Sequence, residues 1–387
     1  MLSSNLSFQN FKKKFGKKSV HKKLQSILNT KSAVFDSLSQ NYKDSYSSKK
    51  ISKFNKFQNF IIIGMGGSIL GTKSIFNFLK DRIKKNFIFI DNFQNKIQYI
   101  DKKKDYLKII ISKSGNTLET IANSNILIKK DKKNIFITEN KDSYLMNLAK
   151  KLKADIIHHN NYIGGRYSVL SEVGMMPAQL MGLNPKKFRK FNQVIKNKNF
   201  INNLVSNVSN IFYLSKKKKS NSVILNYDEN SSDLFYWYQQ LVAESLGKKN
   251  NGILPIVSNM PKDNHSLMQL FIDGPKNNFY TLFFVDDFKS NKINNAEILD
   301  KFEHLKNKNF KTILKSQYSA TQNVFKRKNI PFRSFLIKKR SEETLGELFT
   351  FFILETILLG KLMKLNPFNQ PAVELIKTET KKIIKKS

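Results

Sequence analysis

Apolar residues in this chain come in short, nearly continuous runs separated by polar stretches of helical length, the pattern of buried strands alternating with helices. After a lysine-rich lead-in, Phe-Ile-Ile-Ile at 60–63 runs into the turn Gly-Met-Gly-Gly-Ser at 64–68, and a helical pattern continues to Leu79. Further apolar runs at 87–90, 106–111 and 135–138 are separated by helical stretches such as 118–128 and 143–152. A second series predicts strands at 223–227, 253–257, 279–285 and 335–337, with helices at 234–246 and 312–328 between them. The fold class that follows is α/β: two α-β-α sandwich domains with parallel sheets, joined by a helical segment around 185–214. The expected divisions are a lysine-rich N-terminal segment at 1–50, a first domain at 51–190, a second at 191–344, and C-terminal helices at 345–387.

A chain of 387 residues, 40% hydrophobic and 12% aromatic, has apolar material for two cores, which argues against disorder and fibrous architectures. It has no cysteine, so disulfides, thiolate metal sites and cysteine nucleophiles are excluded. The net charge of +39 raises the question of a nucleic-acid or anionic-membrane partner, but 62 of the cations are lysines and only six are arginines. Bidentate recognition of guanine or phosphate favours arginine. Lysine, asparagine and isoleucine are over-used together, as an AT-rich genome imposes, and the charge predicts a solvated surface with no nucleic-acid partner. The first 24 residues have no continuous apolar core, so no secretory signal is expected and a cytoplasmic location is. Residues 345–365 are the most apolar stretch; Glu347 and Glu355 interrupt it and Lys361 and Lys364 lie at its end, which predicts a buried helix and no membrane span.

Three segments carry chemistry. In the 64–68 turn the glycines let backbone amides approach an anion at the start of the next helix, although such a turn alone serves equally as a tight strand-to-helix connection. A dinucleotide fingerprint needs glycine at 69, where the chain has Ile69; Asp91 at the end of the next strand suits a ribose hydroxyl. Ser112-Lys-Ser-Gly-Asn-Thr117 is a stronger signal: three hydroxyls around a glycine at a helix start suit a tetrahedral phosphate, and a simple N-cap explains only one of them. The third segment begins Gly164-Gly-Arg-Tyr-Ser. With arginine so rare, Arg166 behind two glycines fits an oxyanion stabiliser, the alternative being a loop salt bridge.

Together with Tyr-Gln-Gln-Leu-Val-Ala-Glu-Ser-Leu-Gly-Lys from Tyr238, Asp-Asn-His-Ser-Leu-Met from Asp263 and Asn-Gln-Pro-Ala-Val-Glu-Leu-Ile-Lys from Asn369, these motifs resemble the phosphoglucose isomerases of the sugar-isomerase (SIS) superfamily. They fall in the family's order from about residue 60 to 377. The resemblance implies that Glu244 is the base that shuttles a proton between C2 and C1, on the edge of an amphipathic helix made by Leu234, Trp237, Tyr238, Leu241 and Ser245. It implies that His265 and Lys377 assist ring opening, and that Arg166 stabilises the enediolate. Ser112, Ser114 and Thr117, with Gly67 and Ser68 nearby, hold the phosphate; Gly165, Gln240 and Gln370 contact substrate. His265 is expected to reach the site of a neighbouring subunit, so a homodimer is implied, with the C-terminal helices completing the site. No metal and no cofactor is implied.

The expected function is interconversion of glucose 6-phosphate and fructose 6-phosphate through a cis-enediol, in glycolysis and gluconeogenesis. Gly115 and Asn116 depart from the threonine and aromatic common in the family's phosphate loop, and Ala372 and Ile376 stand where glycines are frequent. A bifunctional phosphoglucose/phosphomannose isomerase therefore stays open as an alternative. Two rivals from other classes are a nicotinamide-dependent oxidoreductase using the 64–71 turn and Asp91, and a non-catalytic sugar-phosphate sensor.

Overall fold

The computed structural model describes residues 3–12, 18–93, 100–101, 103–128 and 133–386. Among these residues ten strands form two five-stranded sheets. One sheet contains β2 (Asn59–Gly64), β3 (Asn86–Ile90), β4 (Tyr106–Ile111), β5 (Asn134–Thr138) and β6 (Asp155–His158), in the order β3-β2-β4-β5-β6 and parallel throughout. The other contains β1 (Leu6–Gln9), β7 (Asn221–Asn226), β8 (Leu254–Asn259), β9 (Asn278–Val285) and β10 (Phe332–Ile337), in the order β1-β10-β9-β7-β8. Every residue of β4 and β5 is buried. Helices cover both faces of such a strand, which is why these sequences read as unbroken apolar runs instead of alternating ones.

The expected parallel sheets are present, with one addition. The second sheet is parallel except at its edge, where β1 from the lysine-rich lead-in pairs antiparallel with β10. Four residues, Leu-Ser-Phe-Gln, carry too little pattern to announce a strand. What holds them is tertiary: Phe8 packs on Phe335 and Phe351 at ring separations of 4.6 and 5.4 Å. The same lead-in also contributes the short helices Lys18–Leu28, Ala33–Leu38 and Ser48–Ser52.

The helices that position the chemistry are α1 (Leu70–Phe78), α2 (Leu118–Leu127), α3 (Lys198–Lys216), α4 (Ser232–Leu246), α5 (Phe310–Arg327), α6 (Glu342–Leu362) and α7 (Val373–Ile384). Helix α6 is buried on all sides from Thr344 to Gly360, as expected for a central helix of a large core. No helix among the described residues is long and apolar enough to cross a membrane. Helix α4 packs between α1 and α6, with Trp237 on Phe349 at 4.8 Å and Tyr238 on Phe352 at 4.6 Å.

Behind α4 lies a fully buried ion pair. Arg333 on β10 donates to Glu355 on α6, and Glu355 also accepts from Tyr238 at 2.8 Å and from Asn207 on α3. Through Tyr238 the group ties β10, α6 and α3 to the back of α4, the helix that carries Glu244. Arg333→Met is expected to lose about 3–5 kcal/mol of stability by leaving the carboxylate without its cation, while the double variant with Glu355→Met recovers part of the loss. Urea unfolding midpoints of the two variants check this.

Candidate active site

In the first sheet β2 is flanked by β3 on one side and β4 on the other, so the direction of strand addition reverses between β2 and β4. Loops leaving the carboxyl ends of two such strands diverge to opposite faces and open a crevice where α/β proteins bind ligands. The two loops here are the Gly-rich turn at 64–68 and the Ser-rich loop at 112–117, both singled out by sequence. In the second loop the Ser112 and Thr117 hydroxyls lie 2.9 Å apart, the first buried, and Ser114 is exposed just before α2. Gly115 takes a φ of +69°, and a Cβ there would meet Ser143 Oγ at 2.2 Å, so only glycine fits the turn.

The Gly-Gly-Arg segment closes onto the first loop. A Cβ on Gly67 would lie 2.1 Å from the carbonyl carbon of Gly165, so the two backbones touch. Lys113 of the Ser-rich loop donates to the carbonyl of Asn161, three residues before that segment, at 2.8 Å and pairs with Glu139 after β5 at 3.5 Å. Three loops therefore form one rim.

Arg166 projects from that rim and is almost wholly buried, 2% exposed. Its Nε donates to Ser245 Oγ at 2.9 Å. Its Nη1 donates to Glu244 at 2.8 Å and to Gln370 at 2.7 Å, and its Nη2 donates to the carbonyls of Pro367 at 2.8 Å and Asn369 at 3.2 Å. A planar guanidinium held on every edge has one orientation, which a lysine in the same place could not reproduce. Glu244 stands in the last turn of α4, its side chain 28% exposed, and accepts from Gln240 one turn earlier at 2.8 Å. Gln240 lies over Gly66, and its Oε1 is a buried acceptor with no hydrogen-bond partner among the described residues. Base, guanidinium and a spare acceptor thus converge beside the crevice of the first sheet.

The structure brings together Gly67, Gly165, Arg166, Gln240, Glu244 and Gln370, with Ser68, Ser112, Ser114 and Thr117 on the adjoining loops. Two predicted residues stand apart. Lys377 does not join Gln370 in one pocket: α7 has no buried residue, and Lys377 pairs with Glu374 at 2.7 Å in solvent. Seven residues of helical spacing align two side chains only when both belong to the helix, and Gln370 precedes α7. His265 lies on the short exposed helix Asp263–Ser266 after β8, anchored by Asp263, which accepts from Ser258 at 2.9 Å and from the Asn259 amide at 2.8 Å. Asp91, the ribose candidate, is paired with Lys73 at 2.9 Å.

Sequence reasoning found Gln370 but missed the site roles of Ser245 and Tyr167 and the Pro367 and Asn369 carbonyls that hold Arg166. Tyr167 donates to the Pro367 carbonyl at 2.9 Å and exchanges a hydrogen bond with Ser245. Its hydroxyl is held above its ordinary pKa, chiefly by burial, and stays a neutral donor. Ser245 was legible as the residue on the apolar side of the base; carbonyl acceptors leave no mark in a sequence. The second sheet also reverses direction, between β7 and β9, and opens a cleft of about 880 Å³. There Asp228 is paired with Arg340 and Asp286 with Lys311 and Lys315, so these carboxylates are already matched by cations.

Comparison with known proteins bears on the family and the fold. The sequence profile of the family described as phosphoglucose isomerase matches residues 17–258. The chain is 33% identical over 351 residues to a glucose-6-phosphate isomerase of Methanocaldococcus jannaschii, covering 86% of this chain and 85% of that one. It is also 33% identical to one of Mycoplasmopsis pulmonis, covering 84% and 82%. Among solved structures, a hypothetical protein from Thermus thermophilus superposes with a TM-score of 0.82 at 23% identity over 95% of this chain and 94% of that one. A glucose-6-phosphate isomerase from Chlamydia trachomatis gives 0.72 at 17% identity over 95% and 83%. On its sequence, supported by the fold, this chain belongs to the phosphoglucose isomerase family.

Proposed function

We propose that the crevice interconverts glucose 6-phosphate and fructose 6-phosphate, with Glu244 as the base. The observation that carries this is the Arg166–Glu244–Gln240 constellation lying beside a serine-rich loop at a helix start. The loop suits a phosphate: Ser112, Ser114 and Thr117 offer hydroxyls, and the N-terminus of α2 adds a partial positive charge, with Gly67 and Ser68 opposite. Once the sugar is open, Glu244 takes the proton from C2 and returns it to C1. The electron pair of the broken C2–H bond forms the C1–C2 double bond and pushes the carbonyl pair onto O1, Arg166 stabilises the enediolate, and O1 gains and O2 loses a proton before C1 is protonated and the C2 carbonyl forms. Arg166 Nη1 is shared between Glu244 and Gln370, so substrate oxygens enter by replacing part of that contact. The unpartnered Gln240 Oε1 is an acceptor for a sugar hydroxyl.

Ring opening belongs to His265 and Lys377 in this reading. In the single chain both are exposed, so His265 acts across a homodimer interface, and Lys377 acts only where α7 turns back over the 366–370 turn. The proposal includes a cytoplasmic enzyme of glycolysis and gluconeogenesis. Purified protein should convert glucose 6-phosphate to fructose 6-phosphate and back, followed with a coupled dehydrogenase. No turnover in either direction sinks the reading; equal turnover of mannose 6-phosphate widens it to the bifunctional enzyme.

A further inference from the structure

Glycine and two left-handed residues turn the chain sharply at the end of α4. A Cβ on Gly247 would meet the Ala243 carbonyl at 2.7 Å, and Lys249 and Asn250 have φ of +53° and +55°. Lys248 and Asn251 bridge across this turn, each amide donating to the other's carbonyl at 3.0 and 2.9 Å. The turn sends the Lys248 side chain back under the helix end. There its Nζ donates to the Ser245 carbonyl at 2.8 Å and to the Asn366 carbonyl at 2.6 Å. The first is one of the carbonyls that a helix leaves unpaired at its C-terminus, where a cation is favoured. The second opens the turn that supplies Pro367, Asn369 and Gln370 to Arg166. One ammonium thus joins the two pieces of backbone that carry Glu244 and its counterparts.

We propose that Lys248 is a positioning residue for the isomerisation: by bridging Ser245 and Asn366 it holds the 366–370 turn, and with it the acceptors that orient Arg166, in register with Glu244. The packing supports this. Gly360 leaves room for Pro367 to lie against α6, with Leu246 alongside, so the turn rests on the protein at one end and on Lys248 at the other. Burial, with the Arg166 guanidinium next in importance, lowers the pKa of the ammonium to about 8, while Glu244 opposes the shift. Both catalytic groups are therefore electrically coupled to it. Lys248 touches no reacting atom in this scheme and acts through Arg166.

The inference rests on the isomerase reading, and the test separates the two. Lys248→Met keeps the aliphatic stem and removes both hydrogen bonds, whereas Lys248→Arg keeps a cation able to reach them. In the Met variant kcat with fructose 6-phosphate is expected to fall about 10- to 100-fold with KM changed by less than about threefold, the size expected when a catalytic group is slightly displaced. The Arg variant should recover most of the loss. Hydrogen–deuterium exchange should show faster exchange at 366–370 in the Met variant and a native rate in the Arg variant. An unchanged exchange rate overturns the clamp whatever the activity. Faster exchange with an unchanged kcat, or a loss confined to Tm, overturns the positioning role and leaves Lys248 purely structural. If the wild type turns over no hexose phosphate while exchange responds as expected, the clamp stands and the reaction assignment falls.

Discussion

Glu244→Gln should retain sugar-phosphate binding and lose about 10³-fold in kcat, the middle of the range for removing a general base. The amide keeps the shape of the carboxylate, but Arg166 and Gln240 donate at 2.8 Å to its two different oxygens in the native protein, so the single oxygen of the amide keeps one of these bonds and loses the other. What disappears is the ability to take a proton from carbon. The phosphate loops stand on other strands and are untouched, so the dissociation constant of a non-reactive sugar phosphate should stay within about threefold. The discriminating readout is exchange of the C2 hydrogen of glucose 6-phosphate with solvent deuterium, which should vanish with turnover. A variant that loses binding as strongly as kcat would make Glu244 a substrate contact and leave the base unidentified.

Arg166→Lys should lower kcat by about 10²- to 10³-fold, the cost of removing an oxyanion donor from an enclosed site. A lysine supplies charge but cannot donate at once to Ser245, Glu244, Gln370 and two carbonyls. The control is another buried arginine. Arg189 pairs with Asp44 at 2.6 Å and donates to the carbonyl of Leu170, at the far end of the 165–170 turn from Arg166, and it touches neither Glu244 nor Gln370. Arg189→Lys should lower Tm while leaving kcat per folded molecule within about twofold. If the two variants behave alike, Arg166 is a structural residue and the enediolate needs another stabiliser.

That contrast also shows how far a sequence signal reached. Scarcity of arginine marked Arg166 as placed, and Arg189, Arg333 and Arg340 are buried and ion-paired as well. Four of the six arginines are thus buried, where a multidentate cation satisfies several acceptors, whereas Arg82 and Arg327 are exposed, so rarity alone did not single out Arg166. Arg166 differs in its company: Glu244 is partly open to the crevice, whereas Glu355 beside Arg333 is sealed. The motifs around Arg166 distinguished it in sequence; composition alone did not.

Local pattern was enough for the long elements. The run at 106–111 matches β4 residue for residue, and the helix at 234–246 differs from α4 only by starting two residues late. It failed for β1 and for β6, four residues each, whose strand character comes from the neighbour they pair with. It also failed for Lys377, where a spacing of seven suggested one face with Gln370 although α7 begins only at Val373.

By itself the sequence determined the alternation of strand and helix, the two anion-suited loops and the glutamate at the edge of an apolar helix face, because each is written in residues close together along the chain. Only the tertiary structure decided that β2 and β4 are neighbours, that Gly67 touches Gly165, and that Arg166 reaches both Glu244 and the carbonyls of the 366–370 turn. Sheet order follows from how crossover helices pack, and carbonyl acceptors are common to every residue, so neither leaves a local signature that a sequence can carry.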